Sequence, residues 1–431
     1  MKDATGATPK KRRVVITGIG AVTPLGNDRE TTWRRVLAGE SGAAPVMQFD
    51  ATTWSTTFAC EVRNYKRPKD AVLPDHATLL NKPSDFGTAA CYEAMLDSGV
   101  HGAVDPARFG ISFGCGIGAV SPKQLARMLR GIERVPGLGD LSRRVEASGE
   151  TNVTIQNHPG TLAFLMSARW NAVGPVSTIH TACASSGQSV GLAFLQIQRG
   201  EADVMLAGGA DSIAGELLMA GFCLLGALSR RNHDPEGASR PFDKDRDGFV
   251  ASEGAAMLVL EEREHALARG AHIYGEVAGY GETESAYRIT DLPPDGRGTV
   301  QAMQQAIADA GLVPSDIGYV NAHGTSTELN DRIESLAIRR VFGDHCRNLL
   351  VSSTKSEVGH LISAAGALEF VFCALAIRDG LIPPTRNLES TNCDSGLDYV
   401  PRVKRERQVK AALSNSIGFG GSNSSLIVAR H

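Results

Sequence analysis

The 431-residue sequence predicts an α/β protein with buried, largely parallel strands. Strand-like and helix-like segments alternate along most of the chain, as expected for strands covered by helices. Hydrophobic residues make up 42% and charged residues 21%, which is the balance of an ordinary globular protein. At about 150 residues per domain, the length predicts two or three domain-sized units or one duplicated unit.

The first predicted strand covers 14–17, after a polar start, and glycines at 18–20 predict a tight turn behind it. Short apolar or β-branched segments predict further strands at 110–114, 203–207, 255–260, 317–321 and 349–352. Apolar residues at helical spacing predict helices at 83–99, 187–199, 299–311, 331–342 and 363–379. Segment 121–157 has no regular pattern, and we interpret it as a surface excursion beside a subunit contact. Its basic residues are Lys123, Arg127, Arg130, Arg134, Arg143 and Arg144.

A weak internal repeat predicts that the α/β unit is duplicated. Residues 93–100 resemble residues 305–312, and a helix ending at 197–200 resembles another ending at 377–380. Two related α/β units that divide near residue 270 would explain both matches. Because no Pro-rich or Ser-rich linker separates the halves, we expect them to share an interface.

Charge and composition exclude several classes of protein. Lys and Arg total 44 against 47 Asp and Glu, and this net charge of −3 gives no general attraction for nucleic acid. We interpret the basic run 10–13 as a solvated lead-in to the first strand rather than a nuclear address. No apolar segment approaches the roughly 18 residues of a membrane span, and we expect no secretory signal. The eight cysteines form no Cys-x-x-Cys pair, which favours a reducing cytoplasm over disulfides or a zinc site.

One segment places small residues around a cysteine where a strand is expected to turn into a helix. Residues 179–187 read Ile-His-Thr-Ala-Cys-Ala-Ser-Ser-Gly. A helix N-terminus presents partial positive charge and N–H groups, which lower the pKa of a thiol and favour the thiolate. We therefore predict that Cys183 is a nucleophile. The other seven cysteines are predicted to be small buried residues.

Two histidines follow predicted strands, at the edge where α/β folds gather ligand groups. Residues 321–327 read Asn-Ala-His-Gly-Thr-Ser-Thr, and residues 353–360 read Ser-Thr-Lys-Ser-Glu-Val-Gly-His. We predict that His323 and His360 join Cys183 in one site, with Lys355 and Glu369 pairing to orient His360. Residues 415–423 form a glycine-rich turn with one aromatic residue. They lack a phosphate-binding pattern, and we interpret them as a mobile loop with a hydrophobic plug.

The order of these motifs resembles that of the condensing enzymes. The matching segments read Thr-Ala-Cys-Ala-Ser-Ser at 181–186, Asn-Ala-His-Gly-Thr-Ser-Thr at 321–327, Ser-Thr-Lys-Ser-x-x-Gly-His at 353–360 and Gly-Phe-Gly-Gly-Ser-Asn at 418–423. The segments Ser-Arg-Pro-Phe-Asp at 239–243 and Asp-Gly-Phe-Val at 247–250 extend the likeness. From about residue 12 to its end, the chain resembles β-ketoacyl-[acyl-carrier-protein] synthases of the elongating type.

The resemblance implies the thiolase fold, in which two βαβαβαββ halves form a five-layer α-β-α-β-α sandwich. The N-terminal half, 12–270, would carry the nucleophile and a dimer contact through strands at its edge. The C-terminal half, 271–431, would carry both catalytic histidines and a glycine-rich gate loop. A homodimer, or a heterodimer with a related ketosynthase-like subunit, is implied.

The resemblance also implies a decarboxylative Claisen condensation of an acyl thioester with malonyl-[acyl-carrier protein], giving β-ketoacyl-[acyl-carrier protein] in fatty-acid elongation. Cys183 would hold the acyl chain, and the two histidines, as neutral imidazoles, would stabilise an enolate. The remaining roles are an oxyanion hole from the backbone N–H groups of Cys183 and Phe419, pantetheine binding by Thr325 and Thr327, and an acyl pocket of Ile117 and Phe222 gated by Phe419. No metal or other cofactor is expected, because the substrates are carried on phosphopantetheine of acyl carrier protein.

Alternatives within this superfamily differ in residue identity. A degradative thiolase would need a second cysteine where this chain has Phe419, and initiating synthases resemble Cys-His-Asn rather than Cys-His-His. A chain-length partner would lack the nucleophile, and a scaffold that only binds acyl carriers would need no reactive Cys183. Segment 121–157 and residues 357–358 depart from the housekeeping enzymes. The alternative that stays open is therefore a ketosynthase of a specialised type II polyketide or polyene pathway, working with a non-identical chain-length partner.

Overall fold

A large mixed β-sheet with helices packed on it forms the framework of the protein. The computed structural model describes residues 11–118, 120–130, 137–393 and 396–431, so Arg134 lies outside the described residues. The strands are β1 (Val14–Val22), β2 (Ala43–Pro45), β3 (Phe58–Cys60), β4 (Phe109–Cys115), β5 (Val176–Ile179), β6 (Val204–Ser212), β7 (Glu253–Glu262), β8 (Gly275–Glu284), β9 (Ile317–Asn321), β10 (Leu350–Ser352), β11 (Leu381–Ile382), β12 (Arg405–Glu406), β13 (Ala411–Ile417) and β14 (Ser422–Ala429).

The helices occupy the segments that the periodicity predicts, together with shorter ones that it does not. They are α1 (Arg29–Leu37), α2 (Lys82–Ser98), α3 (Pro122–Met128), α4 (Leu138–Ser148), α5 (Val153–Gln156), α6 (Thr161–Trp170), α7 (Ser185–Gln198), α8 (Glu216–Leu225), α9 (Arg263–Ala268), α10 (Arg297–Asp309), α11 (Glu328–Phe342), α12 (Lys355–Val358) and α13 (Ala365–Asp379). In the part of the chain that the structure describes, no helix is long and apolar enough to cross a membrane.

The sheet consists of two five-stranded sets with the same strand order. One set runs β5-β4-β6-β7-β1 and the other β10-β9-β13-β14-β8. If the five strands of each set are numbered from 1 to 5 in the order of the sequence, the spatial order is 3-2-4-5-1 in both sets. The sets meet where β1 pairs with β8 over three residue pairs, from Val14 with Val277 to Ile16 with Gly275. This shared order confirms the predicted duplication of an α/β unit.

The expectation of largely parallel strands is wrong, because the sheet is mixed. Strand β4 runs parallel to β5 and β6, and β9 runs parallel to β10 and β13. The neighbouring pairs β6–β7, β7–β1, β13–β14 and β14–β8 are antiparallel. Only residues 418–421 connect β13 to β14, and so short a turn joins antiparallel strands.

The tight turn predicted at 18–20 is also absent, since β1 continues through it. Helix α2 lies directly on this part of the strand. A Cβ on Gly20 would be 2.0 Å from the carbonyl oxygen of Ala90, and one on Gly18 would be 2.2 Å from that of Ala94. The two glycines therefore serve the close approach of a helix to a strand.

Two helices lie between the strand sets and give the predicted layering. Helix α13 is buried on all sides from residue 365 to residue 377, and it packs on β13, on β7 and on α7. Helix α2 covers β1, β6 and β7, whereas α10 covers β8 and β14. The short turns that precede α7 and α13 contact each other. The N-termini of the two central helices are thus brought together in the middle of the molecule.

The described parts of segment 121–157 form a surface excursion, as predicted. Helices α3, α4 and α5 leave most of their side chains exposed or half-buried. Arg127 pairs with Glu150, and Arg143 pairs with Asp140. Whether this excursion adjoins a subunit contact stays a prediction.

Candidate active site

Cys183 lies in a tight turn between β5 and α7. The turn is a 3₁₀ helix, Ala182–Ala184, in which Ala182 has a φ of +47°, an unusual conformation for a residue with a side chain. Ser185 Oγ accepts the backbone N–H of Thr181 at 2.8 Å and donates to the carbonyl oxygen of Ala182 at 2.7 Å. These bonds hold the turn so that the thiol lies at the start of a helix, as the sequence analysis predicts.

His360 contacts the thiol directly. It follows α12 and Gly359, whose φ is +70°, and its Nε2 lies 3.1 Å from Sγ of Cys183. The backbone N–H of Ile362 donates to Nδ1 of His360 at 3.3 Å. Because Nδ1 accepts this bond, the ring proton is assigned to Nε2, which faces the sulfur.

His323 lies just beyond β9, and its ring meets that of His360 edge to face. The ring centroids are 5.3 Å apart and the planes are inclined at 81°. The ammonium of buried Lys355 lies 3.3 Å from Nδ1 of His323 and donates to its carbonyl oxygen at 2.6 Å. An ammonium has no lone pair, so Nδ1 is the acceptor and the proton of His323 is also on Nε2.

Lys355 forms a buried ion pair with Glu369 and orients His323. We predicted that this pair would orient His360, and that expectation is wrong. Lys355 follows the end of β10 in the sequence. Because β10 pairs with β9, the strand that leads to His323, Lys355 lies near that histidine. Burial raises the pKa of Glu369 to about 7, and the charge of Lys355 opposes that shift.

The sequence analysis missed Glu334, which holds the backbone of the His323 loop. Its carboxylate accepts the N–H groups of His323 and Gly324, each at 2.8 Å, and the side-chain amide of Asn415 at 3.2 Å. Glu334 lies on the buried face of α11. An acidic residue on the apolar face of a predicted helix is the signal that would have identified it, because a buried carboxylate needs donors.

Both imidazoles are neutral at neutral pH. Burial is the main cause that lowers the pKa of His323 and of His360 well below 6.5. The positive charge of Lys355 lowers both pKa values further, and His360 adds to the effect on His323. Burial thus favours the neutral imidazole in both rings, which is the form that the predicted role as N–H donors requires.

The expectation of a lowered pKa for Cys183 is wrong in this geometry. Burial raises the pKa of the thiol to about 12, although Lys355 and the backbone N–H of Phe419 act in the opposite direction. Removal of the sulfur from water disfavours the thiolate more than the nearby positive groups favour it. The thiol is therefore held in its neutral form at neutral pH.

A backbone N–H group lies beside the sulfur, since the N–H of Phe419 reaches the thiol of Cys183. A Cβ on Gly418 would lie 3.4 Å from the nitrogen of Cys183 and 2.6 Å from the carbonyl oxygen of Thr181, so glycine leaves this side of the turn open. The structure thus places one of the two predicted oxyanion-hole donors at the thiol, and the role of both stays a prediction.

A cavity of about 440 Å³ leads to these groups. Its inner lining includes Cys183, both histidines and Phe419, and the hydroxyls of Thr325 and Thr327, 2.8 Å apart, lie along it. Further lining residues are Leu225, Arg288, Ile289, Thr290, Asp291 and Leu292. The two threonine hydroxyls therefore share one cavity with the thiol and both imidazoles.

Ile117 and Phe222, the predicted acyl-pocket residues, do not line this cavity. Phe222 packs edge-on against Phe249 with centroids 5.4 Å apart, and Phe249 packs in the same way on His360 at 5.3 Å. Ile117 is 66% exposed and lines two separate cavities beyond β4. Their roles in the acyl pocket stay predictions.

The site also has the spacing of a metal centre. Ligand atoms of Cys183, His323 and His360 all lie within 4.8 Å of one another, which would suit a zinc ion. The bonds to Nδ1 place a proton on Nε2 of each histidine, so neither ring turns a lone pair towards the sulfur. This donor set favours N–H donation over metal binding.

Two protein-family models match the chain in succession. The beta-ketoacyl synthase N-terminal domain matches residues 11–266, and the beta-ketoacyl synthase C-terminal domain matches residues 274–389. The 3-oxoacyl-[acyl-carrier-protein] synthase 2 of Coxiella burnetii is 40% identical over 429 residues, with 98% of this chain and 99% of the relative covered. The protein of the same name from Vibrio cholerae is 41% identical over 423 residues, covering 97% and 99%.

Solved structures with similar folds include ketosynthases of two kinds. A beta-ketoacyl synthase from Burkholderia phymatum has a TM-score of 0.88 at 35% identity, over 97% of this chain and all of the other. A type II polyketide ketosynthase bound to a hexaketide, in complex with its acyl-carrier protein, gives 0.85 at 32%, and the ishigamide ketosynthase/chain length factor gives 0.84 at 33%. Both of these cover 98% of this chain and all of the other.

Proposed function

Because the chain belongs to the β-ketoacyl synthase family, we propose that Cys183, His323 and His360 together catalyse a decarboxylative Claisen condensation. The chain is an acyltransferase of fatty-acid elongation, a β-ketoacyl-[acyl-carrier-protein] synthase. One observation supports the assignment of residues above all: two neutral imidazoles and a thiol share one buried cluster, with Nε2 of His360 3.1 Å from Sγ of Cys183.

In the first step, Cys183 takes an acyl chain from the phosphopantetheine arm of an acyl carrier protein. A bond forms between Sγ and the acyl carbon, the thioester bond of the arm breaks, and the freed arm receives the proton that Cys183 loses. The N–H groups of Cys183 and Phe419 stabilise the oxyanion of the tetrahedral intermediate. Thr325 and Thr327 bind the pantetheine along the cavity.

In the second step, a malonyl thioester on the carrier protein loses carbon dioxide. The electron pair of the broken carbon–carbon bond forms an enolate, whose oxygen accepts N–H bonds from Nε2 of His323 and His360. The enolate carbon attacks the thioester on Cys183, the bond between the acyl carbon and Sγ breaks, and the departing thiolate takes a proton from water. Neutral imidazoles suit this role, since each must arrive with a proton to donate.

The chain's own surface supports the proposed partners. The exposed guanidinium of Arg288 lies at the cavity and pairs with Asp291 at 3.2 Å; an arm that carries a phosphate would compete with that carboxylate for the guanidinium. Strand β5 is an edge strand of the sheet, and we propose that it forms the dimer contact of the N-terminal half, 12–270. The C-terminal half, 271–431, then supplies both histidines and the gate at Phe419. Eight free cysteines favour a cytoplasmic location.

A second candidate is a ketosynthase of a polyketide or polyene pathway. It is favoured by the likeness to a polyketide ketosynthase with its carrier protein and to a ketosynthase paired with a chain length factor. The identity of about 40% over nearly the full chain to 3-oxoacyl-[acyl-carrier-protein] synthases favours elongation more strongly. A panel of acyl primers with malonyl carrier protein separates the two candidates. A β-ketoacyl product that is two carbons longer than the primer supports elongation, and repeated extension to a poly-β-keto chain supports the second candidate.

The chemistry is tested by replacing the nucleophile. Cys183→Ala is expected to abolish condensation, because no other group is placed to carry the acyl thioester. Cys183→Gln is expected to retain malonyl decarboxylation without condensation, since its amide resembles a bound thioester carbonyl. Product masses and carbon dioxide release are measured, with Cys346→Ala as the control for loss of a buried cysteine. Condensation by Cys183→Ala within tenfold of the parent would contradict the assignment.

A further inference from the structure

The turn that precedes α13 repeats the geometry of the catalytic turn that precedes α7. Ile362 has a φ of +45°, close to the +47° of Ala182. It opens the 3₁₀ turn Ile362–Ala364, as Ala182 opens its own turn. Ser363 is therefore the counterpart of Cys183 in the second half. His360 lies two residues before this second turn, so the active site takes its thiol from one turn and a histidine from the segment that leads into the other.

The two turns differ in what faces their backbone N–H groups. Beside Cys183 stands Gly418, which has no side chain. The N–H of Ser363 instead donates to Oδ2 of Asp211 at 3.0 Å. Asp211 lies in β6 and is 1% exposed, and its carboxylate sits against Gly116, where a Cβ would be 2.2 Å from Oδ1. At the second turn, a carboxylate oxygen of Asp211 therefore occupies the position beside the backbone N–H that has no side chain at the first turn.

Asp211 caps α13 from the other half of the chain. Helix α13 has no side-chain cap of its own. Near its start, the N–H of Ser363 is bound by Asp211, and the N–H of Ala367 donates to Ser186 Oγ at 2.9 Å. Helix N-termini leave N–H groups without partners in the helix, and a carboxylate there is also favoured by the helix dipole. Both acceptors come from the N-terminal half.

Two hydrogen bonds from backbone N–H groups to the N-terminal half hold the segment that carries His360. Its own N–H donates to the carbonyl oxygen of Val250 at 2.8 Å, and three residues later Ser363 is bound by Asp211. Ile362, whose N–H orients the imidazole, lies between these two hydrogen bonds in the sequence. We propose that Asp211 is a positioning residue that holds the 360–363 segment so that Nε2 of His360 faces Cys183. The inference rests on the proposed function, in which that nitrogen is an N–H donor.

The test compares two substitutions of Asp211 in the full chain. Asp211→Ala removes the acceptor, and its kcat for malonyl decarboxylation is expected to fall about 100-fold, as misplacement by about 1 Å does elsewhere, with KM within twofold of the parent. Asp211→Asn keeps an oxygen for the N–H of Ser363 and loses only the bond that Oδ1 accepts from the N–H of Ser212 at 2.8 Å, so it is expected to restore kcat to within fivefold. If Asp211→Ala does not fold, Asp211→Val, which fills more of the space and also lacks the acceptor, takes its place.

Glu261→Ala is the matched control. Glu261 is a buried carboxylate in β7 that accepts from Thr17 and pairs with Arg269, so its loss tests stability without touching the 360–363 segment. A crystal structure of Asp211→Ala is expected to show the 3.1 Å distance between Cys183 and His360 lengthened by about 1 Å. An unchanged distance, kcat within twofold of the parent, or equal losses in the Ala and Asn variants would overturn the inference. If the parent itself releases no carbon dioxide, the proposed function fails, and the distance alone decides the inference.

Discussion

In each of the two histidines, the group that contacts Nδ1 determines which ring nitrogen carries the proton. Lys355 fixes the proton of His323 on Nε2, and the backbone N–H of Ile362 does the same for His360. Burial keeps both rings uncharged. The pair therefore presents two N–H donors without adding a positive charge next to the thiol.

We expect His323→Ala and His360→Ala each to lose malonyl decarboxylation while Cys183 is still acylated, more slowly. Loss of one donor to the enolate oxygen is expected to cost about 3–4 kcal/mol, or 10²–10³ in rate. His360→Asn retains an N–H group and should keep part of the activity. Carbon dioxide release and labelled acyl transfer are measured separately. Complete loss of acylation in both alanine variants, with circular dichroism unchanged, would contradict this division of roles.

The acyl-pocket prediction is tested at Ile117. If this residue faces the growing chain, Ile117→Phe shortens the longest primer that is accepted. If it is only a packing residue, the larger ring costs about 1–3 kcal/mol of stability and gives no bias in chain length. Primer selectivity is measured at a temperature where the variant is folded. Equal slowing of short and long primers would mean that the pocket lies elsewhere.

Among the elements, α2 shows how closely helices and strands approach in this fold. Gly20 of β1 faces the backbone of α2 with no room for a side chain. Gly18 makes the same kind of contact one helical turn away. The strand and the helix can therefore pack only if both positions lack a Cβ.

Gly20→Ala is expected to destabilise the protein by about 1–3 kcal/mol, because a Cβ 2.0 Å from the carbonyl oxygen of Ala90 forces α2 and β1 apart. Gly215→Ala is the control, since a Cβ there meets nothing within 4 Å. Chemical denaturation of both variants gives the difference in unfolding free energy. A loss at Gly20 no larger than at Gly215 would show that the helix moves away without cost.

These elements also show what the sequence could predict. The sequence could predict that Cys183, His323 and His360 lie in one site because each stands in a short motif that ends a strand, and the structure brings the three side chains together. Lys355 was assigned to the wrong histidine, and Asp211 was missed, because their partners are set by packing between distant segments. Glu334 was missed although its place on the apolar face of a predicted helix marked it. The turn predicted at Gly18 and Gly20 was wrong because glycine is favoured both in tight turns and where a helix packs closely on a strand.

At the scale of the whole molecule, the edge of the sheet carries an apolar surface. Val173 and Val176, beside and within β5, are 65% and 52% exposed, and Phe164 on α6 is 53% exposed. Exposed apolar side chains next to an unpaired strand indicate a contact with another chain. This surface belongs to the half that carries Cys183.

We expect the protein to sediment as a dimer at micromolar concentration and Val176→Asp to shift it towards monomer, because the new charge would be buried at the contact. Val313→Asp, at an apolar residue that is 56% exposed on the other half, is the control and should leave the dimer intact. Sedimentation velocity measures both variants. A parent that stays monomeric unless a related ketosynthase-like subunit is added would identify the heterodimer instead.

The antiparallel pairing of β1 with β7 has a consequence during synthesis on the ribosome. Val14 pairs with Glu262, so the strand that begins the sheet emerges about 240 residues before its neighbour, a delay of roughly 10–50 s at ordinary translation rates. Throughout that interval β1 is an apolar segment with unpaired backbone groups, which other nascent chains can bind. Substitutions in β1 that keep its packing against α2 are therefore expected to change the yield of folded protein in the cell more strongly than the stability of the finished enzyme.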